Sequence, residues 1–366
     1  MFDGGKGHDR NEAACHDAEF LSIKVQNMTG VKLKRVAFLL VVYFPTASSA
    51  FAQVIEIVGS RALGMGGAFV AVASDSSATW WNPAGLATGP YIDVAVARAL
   101  TEQPGELPAR RGTASWFALG TPPIGVSYYR LRLTDVRPLP TDLAAGSRQD
   151  DQGGAAIRSL TASQLGVTLV QTIVEGVHVG TTVKYLRGTL RVGRDDSLLP
   201  PSELLDRGGD LEGGEAESKF DLDIGVLAEA EAVRLGLLVK NVVEPEFSHP
   251  SGSSVMFPRQ FRLGFAVDAS KAGGIPLTAA VDLDLRTVTS MSGERRNLAL
   301  GVEQWFGKHK VALRGGGRFN MAGSKDRAAT AGGSLALRAG LFIDGYLVRG
   351  GSTDERGWGV ASRVSF

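Results

Sequence analysis

The last nine residues, Trp358-Gly359-Val360-Ala361-Ser362-Arg363-Val364-Ser365-Phe366, constrain the fold more than any other stretch of the chain. In an extended strand Trp358, Val360, Val364 and Phe366 share one face, interrupted only by Ser362. Gly359, Ala361, Arg363 and Ser365 share the other. Two-residue alternation with large apolar side chains on one face asks that face to meet something other than water. Lipid is such an environment. It offers no hydrogen bonds to the backbone, so a spanning sheet must close on itself, apolar outward and polar inward.

The same alternation recurs upstream. In 219–231, Phe220, Leu222, Ile224, Val226, Ala228 and Ala230 oppose Asp221, Asp223, Gly225, Glu229 and Glu231. In 259–269, Phe261, Leu263, Phe265 and Val267 oppose Arg262, Gly264 and Asp268. In 276–288, Leu277, Ala279, Val281, Leu283 and Leu285 oppose Thr278, Asp282, Asp284 and Arg286. No segment carries a sustained helical stripe. About fourteen strands are expected in all. They lie near 91–100, 112–120, 124–134, 157–172, 177–192, 218–231, 233–243, 259–270, 276–288, 295–306, 309–320, 328–340, 341–350 and 356–366.

Turn lengths alternate. Thr121-Pro122-Pro123, Val174-Glu175-Gly176, Ala230-Glu231-Ala232, Gly307-Lys308-His309 and Ala339-Gly340 are tight links, and 271–275 is short. Between them fall longer polar connections, above all 135–156, 193–216 and 247–258. Short periplasmic turns and long external loops at opposite ends are the expected pattern of an outer-membrane barrel. Inward-facing charges have both signs, among them Lys184, Lys240, Arg314 and Arg363 against Asp223, Asp282 and Glu303. A lumen cross-linked by ion pairs is favoured over an ion path, because enclosed charges must be paired or hydrated.

Residues 31–52 have the layout of a secretory signal peptide. Lys32, Lys34 and Arg35 precede the apolar run 36–44, Pro45 breaks it, and Ala50-Phe51-Ala52 is a small-residue cleavage site. The apolar run is too short to span a bilayer as a helix. Residues 1–30 carry charges ahead of that segment and read as an over-extended gene start. They hold Cys15, the single cysteine, so the mature chain is expected to have neither disulfide nor lipid anchor. Removing 1–52 takes away six basic and five acidic residues and leaves the rest formally neutral. That balance argues against nucleic acid as a partner.

Residues 59–88 follow. Arg61-Ala62-Leu63-Gly64-Met65-Gly66-Gly67-Ala68 precedes Ser74 and Asp75, either of which can cap a short helix through Trp81. Asn82-Pro83-Ala84-Gly85-Leu86 is turn chemistry. The glycines permit close backbone approach; no Lys-Ser/Thr follows them to make a phosphate loop.

These two motifs resemble the N-terminal hatch of the long-chain fatty-acid transporter (FadL) superfamily of outer-membrane barrels, and the strand count extends the resemblance to the whole mature chain. The wording is closest to the branch of PorV-like secretion accessory proteins. The terminal strand is similar to the closing strand of outer-membrane barrels, whose last aromatic is read by the barrel assembly machinery. The resemblance implies an all-β, transmembrane antiparallel barrel at 91–366 with a hatch at 53–90, in the outer membrane of a Gram-negative-type bacterium. Arg61, Gly64, Gly66, Gly67, Asp75, Asn82, Pro83, Ala84 and Gly85 are then the hatch and gating residues. Trp358, Val360, Val364 and Phe366 are the assembly signal, and outer-membrane lipids are partners.

The resemblance also implies a greasy groove on the external loops after the fifth and seventh strands. Those loops carry Leu198, Leu199, Leu204 and Leu205, with Ser202 able to cap a short helix, and Phe247, Met256 and Phe257. Packing of the loops on each other is the other reading. Two functions stay open: passive passage of hydrophobic, fatty-acid-like molecules past the hatch, or a non-transporting barrel that binds a partner of a secretion or surface-anchoring system. No nucleophile, base and orienter converge, no metal-ligand cluster is visible, and no cofactor is expected.

Overall fold

The computed structural model describes residues 57–139, 154–197, 199–290, 293–351 and 354–366. The expected leader, the expected gene start and Leu198 lie outside them. Two short helices, α1 (Ser60–Gly64) and α2 (Ala78–Trp81), and a 3-10 turn (Pro83–Thr88) come first. Then follow β1 (Asp93–Gln103), β2 (Ala109–Gly120), β3 (Ile124–Pro138), β4 (Ala155–Val174) and β5 (Val177–Asp195). Helix α3 (Pro201–Arg207) precedes β6 (Ala216–Ala230), β7 (Val233–Lys240), β8 (Glu246–Ser248) and β9 (Ser254–Met256). The second half holds β10 (Gln260–Asp268), β11 (Leu277–Asp284), β12 (Val288–Ser290), β13 (Gly293–Arg295) and β14 (Asn297–Phe306). It ends with β15 (Val311–Asn320), β16 (Arg327–Arg338), β17 (Leu341–Gly350) and β18 (Arg356–Ser365).

Fourteen of these strands form one closed antiparallel barrel, with β8–β9 and β12–β13 as separate hairpins in the long connections. All fourteen expected strands are present. β18 closes the barrel on β1, with Asp93 opposite Ser365 and Leu100 opposite Trp358, and Phe366 exchanges both backbone bonds with Ile92. Closure leaves no sheet edge. The outer face carries the large apolar side chains, including Val126, Leu165, Leu235, Phe265, Leu300, Leu347, Trp358 and Val360, all exposed. The inner face of β1 and β2 carries Ala95, Ala97, Ala99, Ala114 and Ala118, small enough to leave room in the lumen, with Trp116 the large side chain among them. Among the described residues no helix is long and apolar enough to cross a membrane.

Strands β3, β4 and β5 run further than their alternation indicates, because both their faces are covered at the long-loop end. Leu131 and Leu133 of β3 join the lumen cluster, whereas Val136, with Ala109, Ala155 and Ile157, packs beneath Leu204 and Leu205 of α3. Helix α3 therefore lies on the outer face of the strand extensions. Its N-cap is Pro200 with no side-chain cap bond, so the expected capping by Ser202 is not realised. The fixed φ of prolines starts the helix instead.

Candidate functional site

Ile57–Leu86 is almost wholly buried inside the barrel, and its own short-range bonds shape it. Gly66 and Gly67 take φ of +71° and +86°, where only glycine is free of strain, and turn the chain back after α1. The Asp75 carboxylate accepts from the Ser77 amide at 3.0 Å, fixing the turn before α2. That helix has only four residues, shorter than the sequence indicates, and Ser77 rather than Ser74 or Asp75 is its N-cap. Trp81 Nε1 donates to the Val58 carbonyl at 2.9 Å. Asn82 Oδ1 accepts from the Ala84 amide at 3.2 Å and opens the 3-10 turn, with Pro83 at its first position.

The barrel wall meets this segment through glycines. A Cβ on Gly180 would run into the Pro83–Ala84 backbone, and one on Gly225 into Asn82. On the opposite wall, a Cβ on Gly301 or Gly316 would collide with Met65. These positions all point inward and serve as sockets for main chain. Polar anchors complete the fit. Asp282 Oδ2 accepts from the Phe69 and Val70 amides, both at 2.8 Å. Asn82 Nδ2 donates to the carbonyls of Val70 at 2.8 Å and Val226 at 3.1 Å. Lys240 Nζ donates to the Trp80 carbonyl at 2.9 Å and sits 3.3 Å above the Trp80 ring. Thr330 Oγ1 donates to the Gly64 carbonyl at 3.0 Å.

Charge closes a ring between segment and wall. Arg61 grips Glu303 with a two-pronged contact of 2.8 and 2.7 Å and lies 3.5 Å from Asp75. Arg314 approaches the same Glu303 at 2.5 Å and donates to Ser334, which bonds Asp344. Arg363 joins Asp344 at 3.0 Å and Asp93 at 3.3 Å, and Asp93 accepts from the Ser76 amide at 2.8 Å. Burial works against the Arg61 cation, but Glu303 first and Asp75 after it outweigh that, so the guanidinium is held protonated more firmly than in water. A second buried cluster pairs Lys184 with Asp221 and Asp223, each at 2.6 Å. Arg61 and Asn82 thus meet the wall through side chains and Gly64 through its carbonyl, whereas Asp75, among the described residues, bonds only within the segment, to Ser77 and Arg61. The sockets and the anchors Asp282 and Lys240 had a sequence trace only as inward-facing glycines and charges.

The two apolar loop sets are not brought together. Leu204 and Leu205, with Leu199, belong to the cluster on the outer side of the wall. Phe247, Val255 and Phe257 of the β8–β9 hairpin belong to the lumen cluster, with Phe247 over Gly188 and its ring 5.7 Å from that of Phe257. Met256 is half-buried between them in sequence. On the outer face, a recess of about 660 Å³ lies over Gly315–Gly317, lined by Leu300, Val302 and Phe319. There the wall is one backbone thick, and Gly66 presses on Gly317 from within.

Among families, the one described as "F plasmid transfer operon, TraF, protein" matches residues 130–284. No curated protein sequence matches the chain. Among solved structures, the toluene transporter TbuX of Ralstonia pickettii is 14% identical with a TM-score of 0.59, over 84% of this chain and 98% of that one. The monoaromatic hydrocarbon channel CymD is 11% identical with a TM-score of 0.57, over 84% and 97%. A Pseudomonas aeruginosa FadL homologue is 9% identical with a TM-score of 0.54, over 85% and 99%. The likeness is one of fold, and with the exposed apolar belt it makes the chain a fourteen-stranded antiparallel β-barrel whose outer face is of the kind that meets lipid.

Proposed function

We propose that the chain is a passive channel for hydrophobic small molecules, in which 53–90 is a hatch inside the barrel of 91–366. The observation that carries this reading is the manner in which the segment meets the wall. Beside the packing of Trp80 on Tyr129 of the wall, with ring centroids 4.8 Å apart, it is held by glycine sockets and separate polar bonds, a set of discrete contacts that can be released one at a time. Arg61, flanked by Asp75, clamps one side through Glu303, and the Asn82-Pro83-Ala84-Gly85 corner the other. Gly66 keeps the backbone against Gly317 beneath the outer recess, Gly64 lies against Gly332 of the next strand, and Gly67 makes room for Trp81. Phe247, Met256 and Phe257 line the external approach to the lumen, and Leu199, Leu204 and Leu205 hold the outer loop in place. Likeness in fold to a toluene transporter and to a monoaromatic hydrocarbon channel supports small apolar cargo.

The test is removal of 57–88 from the mature chain. The barrel should keep its strand content and heat-modifiable mobility, while single-channel conductance rises severalfold and a vesicle-trapped dye leaks. Influx of a fluorescent fatty acid or toluene into vesicles carrying the parent protein should exceed that into empty ones. A folded deletion variant with parental conductance, or parent vesicles no faster than empty ones, would refute the reading.

A second reading is a non-transporting barrel that docks a partner of a secretion or surface-anchoring system, with the transfer-operon match over 130–284 in its favour. Cross-linking in intact cells that captures one stoichiometric protein through the α3 loop, with no solute influx, would select it.

A further inference from the structure

Outside the lumen, one row of side chains runs across six strands. Arg98 stands opposite Ser115, Ser115 opposite Arg130, Arg130 opposite Ser163, Ser163 opposite Arg187, and Arg187 opposite Ser218. All six lie on the outer face, the arginines exposed. Strands are spaced about 4.8 Å apart, so an arginine recurs roughly every 10 Å with a serine between. No hydrogen bond or ion pair to another described residue engages these three guanidinium groups. The lumen arginines Arg61, Arg314 and Arg363, by contrast, are all paired. The row contains no carboxylate.

The row also marks a boundary. Immediately on the short-turn side of it the outer face shows Phe117, Tyr128, Leu165 and Tyr185; on the long-loop side it shows Thr113, Arg132, Thr161 and Thr189. Tyr128 donates its hydroxyl to Ser163 at 3.2 Å, and Tyr185 and Ser218 share a bond of 2.8 Å, so the aromatic edge is tied to the row. Aromatic rings and then cations, in that order, are how a membrane protein meets the headgroup layer.

We propose that this ladder docks phosphate-bearing headgroups of outer-leaflet lipids. Unpaired cations of a single sign at the edge of an apolar belt call for an anion delivered by the membrane itself. The planar fork of arginine takes phosphate oxygens two at a time, and the interleaved serine hydroxyls add donors between. The outer surface of β1–β6 would then carry an ordered lipid shell that the rest of the barrel lacks.

Native mass spectrometry of the full-length mature protein in neutral detergent tests this, with titration of bis-phosphorylated lipid A and of its dephosphorylated form. The parent should retain the phosphorylated lipid on the order of a hundredfold more tightly, with that margin shrinking as salt rises. The triple variant Arg98→Gln, Arg130→Gln, Arg187→Gln should lose the margin, the triple Lys variant should keep part of it, and Arg349→Gln, an exposed arginine outside the row, should keep all of it. Heat-modifiable mobility establishes that each variant is folded. Equal retention of both lipids by the parent overturns the proposal in favour of simple acyl contact. Undiminished preference in the folded Gln variant overturns it as well, as does loss of an acidic protein partner from that variant with no lipid preference in the parent.

Discussion

Glu303 is the carboxylate on which the inner charge ring turns, since Arg61 of the N-terminal segment and Arg314 of the wall both bond it. Glu303→Gln would leave two buried guanidinium groups facing each other, a loss of about 3–5 kcal/mol when a buried pair is broken. Arg61→Ala should cost less, because Glu303 keeps Arg314. The expected order of single-channel conductance is therefore Glu303→Gln above Arg61→Ala above parent, and the reverse order would mean that Arg61 is not the clamp. At the other end, Asn82 donates to two carbonyls and accepts from one amide. Asn82→Asp should loosen the segment more than Asn82→Ala does, by about 1–3 kcal/mol, because a carboxylate turns those two carbonyls from acceptors into repulsive neighbours. Limited proteolysis between 57 and 88 reads the difference.

At the scale of the elements, fit depends on which face of a strand a glycine occupies. Gly225 and Gly180 point at the Asn82 corner, whereas a Cβ on Gly315 meets nothing within 4 Å. Gly225→Val should dislodge the corner and raise conductance without loss of barrel assembly, and Gly315→Ala should be neutral; two equal effects would contradict the socket. The closing strand has a separate requirement. Phe366 is 70% exposed on the lipid-facing side and bonds Ile92 through its backbone. Deleting Phe366, or replacing it with Asp, should sharply lower the folded barrel recovered from outer membranes, read by heat-modifiable migration and protection from external protease. Parental recovery would show that the strand is not an assembly signal.

For the molecule as a whole, the outer belt is set by lipid and the long-loop rim by water. Leu300→Lys, on the lipid face, should destabilise the barrel by about 2–4 kcal/mol in denaturant titration from vesicles if it sits near the bilayer midplane. Val243→Lys, exposed beyond β7 at the long-loop end, should change little. Similar losses at both would contradict the belt.

The sequence alone determined the barrel. Period-two alternation is a local property of each strand, and it located all fourteen strands, the short and long ends, and the outward set from Trp358 to Phe366, because lipid reads every strand independently. It also marked the Arg61-to-Gly67 run and the Asn82-to-Gly85 corner, whose backbone demands are local too. Register and partnership came only with the tertiary structure. Glu303 could have paired with any inward cation until strand closure set Arg314 and Arg61 beside it. Leu204 and Phe247 read as one kind of exposed apolar loop residue. Folding sent the first to the outer face of β2–β4 and the second into the lumen, because a wall one strand thick has two sides and a loop can turn to either.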